Sequence, residues 1–506
     1  MYRKKSPLIQ LFHARTITII FVGLLFASNQ AYAANVSINA SIHYQTIDGW
    51  GITHYPSWYW EGPKRYPVPE ENVMNQIKND LGINYIVNIT NELFEAHEAT
   101  NDDSDPNNFK WSSYNAQLSS MTGTFQNLKL QQDAGLRFAI GSHGKPSWLE
   151  GTDGNFGGLY EEFGEYIASL ALYAKNNYGV YIPYIVLQIE PAASNNAQGW
   201  TGFSPAELRD AIKTVGARLK REGLTTKIIA PDEESATTTK STCSTLLSDS
   251  TAKSYMPCIA YHHYDGGTSS GNVDSGISSL TSLANDSEVR RSGLPIWMTE
   301  WAMFLAYGDR LTNWVDTWQY AFEYGKLVHN CMVYGNTSMF TFWNSQYEWG
   351  SDVDGNGIIE TEGIFGPGVT DGKLKLKKVG YALTQYSKYI PPASKRIDIT
   401  VSNAPMVYAT AYTNDTSKRF TVVFINRNTS AVDITVAVSN ITGLTNLKII
   451  RTSATENAAE IGDISLAGNS FNTTLLGSSI TTLTGNFGDL GSSPSPPTNL
   501  RIVNIQ

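Results

Sequence analysis

Eight short apolar runs recur along the chain at residues 47–51, 83–90, 137–142, 184–190, 227–233, 258–264, 295–301 and 338–344, each ending in polar or aromatic residues. The stretches between them carry helical signals. Residues 69–80 end before Gly82, residues 160–177 end before Gly179, and Ser204-Pro205 opens a helix reaching Glu222 with proline in its first turn. Eight strands alternating with helices predict a (β/α)8 barrel over residues 46–384. Beyond about residue 385 the pattern switches to alternating β-rich segments at 406–412, 420–426, 432–438 and 447–451, the signature of an antiparallel β-sandwich side domain. Residues 35–45 also alternate, so they are assigned with 385–485 to that side domain, tying the chain ends together. Residues 486–506 read as a Gly/Ser/Pro-rich linker and tail, whose last residues resemble the opening of a fibronectin type III module.

Two of the barrel runs end in glutamate, Glu190 after the fourth and Glu300 after the seventh. Catalytic groups in such barrels stand at the C-terminal ends of strands. Retaining glycoside hydrolysis needs one carboxylate to attack the anomeric carbon and one carboxylic acid to protonate the leaving oxygen, on rigid converging elements. Glu190 is flanked by aliphatic residues and Pro191, so desolvation is expected to raise its pKa and make it the acid. Glu300 is then the nucleophile, kept ionised by surrounding donors. As isolated residues both would read as ordinary strand-end glutamates. Their matched positions favour catalysis.

Residues 1–33 hold Arg3, Lys4, Lys5 and Arg15, no acid, an apolar stretch and the small-x-small site Ala31-Tyr32-Ala33, which reads as a cleaved signal peptide and implies a secreted, extracellular protein. Losing those four positive charges takes the formal charge from −9 to −13, which argues against nucleic acid and anionic membranes as partners and favours a neutral ligand. Three cysteines, Cys243, Cys258 and Cys331, allow one bridge, with the first two nearest in sequence. The loop 54–60 packs four aromatics into seven residues, and Trp148, Trp200, Trp301, Trp343 and Trp349 follow strands; stacking on sugar faces is one use and barrel-top core the other. Trp58, Trp200 and Trp343 are the three expected in the cleft. Asp352, Asp354 and Asn356 have calcium-loop spacing, but Gly363 occupies the twelfth position, so a plain turn is preferred. No zinc spacing surrounds His262, His263 and Asp265. Strand alternation should turn one ring to the cleft and the other away. No cofactor or metal is called for.

The chain resembles glycoside hydrolase family 30. The resemblance is colinear through Gln45-Thr46-Ile47-Asp48-Gly49-Trp50-Gly51, Gln188-Ile189-Glu190-Pro191, Ile229-Ala230-Pro231-Asp232, His262-His263-Tyr264, Trp297-Met298-Thr299-Glu300 and Tyr386-Ser387-Lys388-Tyr389-Ile390. It implies Glu190 as acid/base, Glu300 as nucleophile, and Tyr264 as a donor orienting the nucleophile. Where the family normally has an asparagine that bonds the sugar 2-hydroxyl, this chain has Ile189, so either the sugar differs or another donor such as Asn91, His143 or Asn195 serves. After strand eight, where glucuronoxylan-specific members present arginines, residues 344–349 read Asn-Ser-Gln-Tyr-Glu-Trp. The substrate-contacting set is thus Trp58, His143, Asn195, Trp200, His262, Tyr264 and Trp343. The expected activity is endo-cleavage of a polysaccharide such as a xylan or a β-1,6-linked glucan or galactan. Exo-action on oligosaccharides or glycolipids, or glycan binding without cleavage, are the alternatives.

Overall fold

The computed structural model describes residues 34–54, 68–91, 93–94, 98, 100–149, 156–192, 202–267, 271–302, 317–345 and 363–490. Residues 1–33, expected to be a signal peptide, the expected tail from 491, the turn at 352–360, and Trp58, Asn195, Trp200 and Trp349 lie outside them.

Eight parallel strands close into a barrel: β2 (Gly49–Thr53), β3 (Tyr85–Ile89), β4 (Arg137–Gly141), β5 (Tyr184–Val186), β6 (Lys227–Glu233), β7 (Ile259–His262), β8 (Ile296–Glu300) and β9 (Thr337–Phe342). Apart from the first residues of β4, β5 and β6 they are buried on both faces, which is why they read as near-continuous runs in the sequence. Inward-facing Tyr85, Val87, Ala139, Val186, Ile229, Ala260, Trp297 and Met339 fill the barrel, while the alternate residues join a larger core beneath the helices. The helix Pro205–Arg221 begins at the predicted residue, with a complete capping box between Ser204 and Glu207. The helix Tyr160–Tyr178 ends on Gly179 in a left-handed conformation, φ 66°.

The fourth barrel strand is shorter than the sequence predicts, ending at Val186 rather than at Glu190. The apolar alternation continues past the kink: Leu187 packs outward and Ile189 inward, and the backbone still bonds its neighbours through Ile189 N to Ser142 O (2.8 Å) and Glu190 N to Asp232 O (2.9 Å). Glu190 itself is left-handed, φ 50°. The pattern of a strand therefore outlives its geometry.

The remaining strands form one nine-stranded sheet containing β1 (Ala34–Thr46), β12 (Lys395–Ser402), β13 (Val407–Asn414), β14 (Arg419–Asn426), β15 (Val432–Ser439), β16 (Thr445–Ser453), β17 (Ala459–Asp463), β18 (Ser470–Leu475) and β19 (Ser479–Asn486). A separate hairpin joins β10 (Phe365–Thr370) to β11 (Lys373–Leu376). In the large sheet β1 pairs antiparallel with β12 and parallel with β15. Phe420, Val422 and Leu483 share one core with Val436, Phe471 and Leu475, which sit toward the other end of the strand order. The sheet must therefore curl over on itself to enclose them.

Gln45, where β1 leaves this sheet for the barrel, donates from Nε2 to the carbonyls of Met332 (2.7 Å) and Thr337 (3.1 Å) and accepts from Arg396 Nε (2.8 Å). All these groups are buried. Gln45→Ala removes three hydrogen bonds at the junction and is expected to cost about 2–4 kcal/mol, read as a lower urea midpoint for unfolding.

Candidate active site

Glu300 closes β8, His262 closes β7, and Glu190 stands on the kink beyond β5, so three strands deliver three side chains to one point at the C-terminal mouth of the barrel. His262 Nδ1 lies 2.7 Å from Glu190 Oε1 and 3.7 Å from Glu300 Oε1. One carboxylate oxygen of each glutamate and that nitrogen all fall within 4.8 Å of one another. The Tyr264 hydroxyl donates to Glu300 Oε1 at 2.7 Å. Behind the imidazole, Nε2 lies 3.5 Å from Asp232 Oδ2, and Asp232 accepts a 2.6 Å hydrogen bond from Thr299 Oγ1. Asp232 was not singled out as a site residue from the sequence. It shares with Glu190 a left-handed backbone, φ 58°, and its carbonyl accepts the Glu190 N–H. Two such unfavourable conformations side by side are held by that bond. Glu233, next along, accepts the Ala192 N–H at 3.1 Å and so fixes the segment that follows Glu190.

The electrostatics reverse the charge pattern expected from the sequence. Burial alone would raise the Glu190 carboxyl, but the hydrogen bond and charge of His262 outweigh it and hold the group below its usual value. For Glu300 burial dominates and lifts the pKa to about 7, against the opposing pull of His262 and Tyr264. Burial disfavours a charged His262, yet Glu300, Asp232 and Glu190 together keep its pKa well above the usual range. An imidazolium beside an ionised Glu190 is therefore favoured, and Glu300, the more deeply buried carboxyl and an ångström farther from the imidazole, holds its proton to higher pH.

His143 is half-buried at the end of β4, and burial lowers its pKa to about 4 despite the nearby Glu190 carboxylate, so its ring is neutral at pH 7. Asn91 lies alongside, its Oδ1 accepting from the His143 N–H (3.0 Å) and the Ser142 hydroxyl (3.1 Å). Ile189 points into the barrel interior, not into the mouth. Trp343 is half-buried against the barrel-interior cluster.

Trp301, for which stacking and barrel-top core were both open, is fully buried, 5.8 Å from the Tyr324 ring. Glu300 faces the mouth, so the next residue must turn toward the helix layer. The two histidines part as alternation requires: His262 faces the glutamates, while His263 is buried with Nδ1 3.1 Å from Asp265 Oδ1. All three cysteines are buried and free.

No protein-family model matches the chain. Over 328 residues, 65% of this chain, it is 26% identical to the glucuronoxylanase XynC of Bacillus subtilis strain 168. The chain spans 66% of the length of that curated relative. It superposes on a GH30 endoxylanase from Clostridium papyrosolvens C71 with a TM-score of 0.66 and 23% identity, covering 89% of this chain and 100% of that one. An endo-β1,6-glucanase gives a TM-score of 0.63 at 17% identity, covering 89% and 93%. The structural likenesses speak for the barrel with its side sheet, and the likeness to the glucuronoxylanase speaks for the sequence. Together with the colinear motifs around both glutamates, they make this chain similar to enzymes of glycoside hydrolase family 30.

Proposed function

We propose that this protein is a secreted, retaining β-glycosidase that cleaves within a polysaccharide chain by double displacement. The observation that carries the reading is the separation of the two glutamates, whose nearest ligand oxygens stand within 4.8 Å. Retaining enzymes need about 5–5.5 Å between the two carboxyl groups, whereas inverting enzymes leave room for a water at about 6.5–9.5 Å.

In the first step a Glu300 oxygen forms a bond to the anomeric carbon as the glycosidic C–O bond breaks, and Glu190 gives its proton to the departing oxygen. In the second, Glu190 takes a proton from water, the water oxygen bonds the anomeric carbon, and the Glu300 carboxylate leaves. Tyr264, by donating to Glu300, stabilises the carboxylate as it departs and orients it for attack. His143, whose ring feels the Glu190 charge, and Asn91, bonded to the His143 backbone, are proposed to hold sugar hydroxyls in place of the missing asparagine.

The reaction needs one proton on the glutamate pair and one carboxylate free. Protonation at Glu300 or at Glu190 gives the same count, so the limbs of the pH profile belong to the pair. Below the lowered Glu190 value a second proton removes the nucleophile. Above the Glu300 value the last proton leaves and no acid remains. A plot of kcat/KM against pH should therefore be bell-shaped, with its alkaline limb near pH 7 and its acid limb below 4.5.

The substrate class follows from the names of the relatives: a glucuronoxylanase, an endoxylanase and an endo-β1,6-glucanase. Residues 344–349 contain no basic side chain to meet a uronate, so a neutral stretch of β-linked xylan or glucan is favoured over glucuronate recognition. Among the described residues no helix is long and apolar enough to cross a membrane. A panel of xylans and of β-1,6-linked glucans and galactans tests the reading. Mixed oligosaccharides from one of them are the predicted product; monosaccharide alone would mean exo-action, and no cleavage at all would remove the proposal.

A further inference from the structure

His54 follows β2 at the C-terminal mouth of the barrel, and its side chain is fully buried between groups from two other elements. Its Nε2 lies 2.5 Å from Glu70 Oε1, in the first turn of the helix Glu70–Asn75, and its Nδ1 lies 2.7 Å from Ser345 Oγ, just beyond β9. The double displacement uses none of the three. We propose that His54 is a positioning residue for substrate binding: the chain of hydrogen bonds from Ser345 through His54 to Glu70 fixes the segment 343–345 and so holds Trp343 against the sugar. The inference rests on the glycosidase reading and on the cleft position expected for Trp343.

The chain of bonds has a direction. An ionised carboxylate only accepts, so the Glu70 oxygen takes the proton-bearing Nε2. In the neutral ring Nδ1 is then an acceptor, and the Ser345 hydroxyl donates to it. A buried hydroxyl that would otherwise rotate is thereby held in one orientation.

Backbone bonds give a second, independent support. The His54 N–H donates to Val87 O (2.9 Å) in β3, so the ring stands on the rigid wall of the barrel. The Ser345 N–H donates to Thr53 O (2.8 Å), next to His54, and the Ser345 carbonyl accepts from Phe365 N (3.0 Å) at the start of β10. At the other end of the segment, the Trp343 N–H donates to the carbonyl of Trp301 (3.4 Å), the residue after Glu300. Residues 343–345 therefore span from the end of β8 to the end of β2, and Trp343 is carried on that span with its ring packed on the barrel-interior cluster.

A histidine that merely filled core could give way to phenylalanine without effect on the sugar. The positioning role makes the opposite prediction. A stacked ring holds the sugar alike in the ground state and the transition state, so displacing it should raise KM and leave kcat nearly unchanged.

The test is a double-mutant cycle on the polymer that the panel identifies, with KM and kcat read separately and melting midpoints checked. Ser345→Ala and His54→Phe should each raise KM about five- to twentyfold, with kcat within about twofold of wild type. Glu70→Gln keeps an oxygen that accepts from Nε2, so both constants should stay within about twofold of wild type. In a Trp343→Ala background KM is already raised, and adding Ser345→Ala should raise it no further, because the relay acts through that ring. A general loosening of the fold would act in both backgrounds alike. Should His54→Phe melt early, Ser345→Ala and Glu70→Ala carry the test with the same expectation. A wild-type KM in Ser345→Ala, a fall in kcat alone, or full additivity with Trp343→Ala overturns the proposal. A wild-type protein that cleaves no polymer would instead remove the glycosidase reading, and the relay is then judged by glycan affinity in calorimetry, with the same losses expected from the same variants.

Discussion

Glu300→Gln is expected to lower kcat by about 10⁴- to 10⁶-fold, because the substitution removes the atom that bonds the anomeric carbon and no neighbour can substitute for it. Glutamine keeps the shape of the side chain and can still accept the Tyr264 hydroxyl hydrogen bond, so folding and sugar binding should persist. Initial rates on the polymer identified by the panel, with binding followed separately by calorimetry, read the two effects apart. A variant that retained a tenth of the wild-type rate would mean that Glu300 is not the nucleophile. A protein that bound glycans but showed no turnover to lose would be a lectin-like barrel.

Glu190→Ala should reduce kcat by about 10²- to 10⁴-fold, the range for loss of a general acid–base. The deficit should depend on the leaving group. A substrate whose departing group is a weak base needs little protonation, so glycosyl-enzyme forms readily and accumulates, since no base remains to activate water. Sodium azide, small enough to enter the space the side chain vacates and nucleophilic without a base, should then restore turnover and yield a glycosyl azide of retained configuration. Rescue of Glu190→Ala together with failure to rescue Glu300→Gln in the same way would separate the two roles. An azide product of inverted configuration from Glu190→Ala would exchange them.

The barrel was legible because parallel strands, covered on both faces, leave apolar runs that stand out between helical stretches, as at β6, whose predicted and observed ends coincide at Lys227–Glu233. The fourth strand was read too long for a physical reason: Leu187 and Ile189 keep alternating between the outer and inner cores after the backbone has kinked. The side sheet was visible where strands alternate cleanly, as in Val432–Ser439, and missed in the polar Ala459–Asp463, which lacks an apolar face to betray it.

Both glutamates were singled out from position and from the resemblance, and Tyr264 and His262 came with the family motif; the structure brings the four side chains together. The charges were not legible. Glu190 looked acidic because its sequence neighbours are aliphatic, yet what decides its ionisation is an imidazole 72 positions away, delivered by another strand. Asp232 was equally hidden, since its role depends on facing the far side of that same ring. For Trp301 the sequence left stacking and core both open, and with Glu300 turned to the mouth, period-two alternation sends its neighbour into the core.

The most direct measurement is the configuration of the first-formed product, followed by proton NMR during the opening minutes of hydrolysis before mutarotation. Double displacement inverts the anomeric centre twice, so the new reducing end should first appear as the β-anomer and only later equilibrate. First appearance of the α-anomer would mean a single displacement by water, and would contradict the covalent step at Glu300.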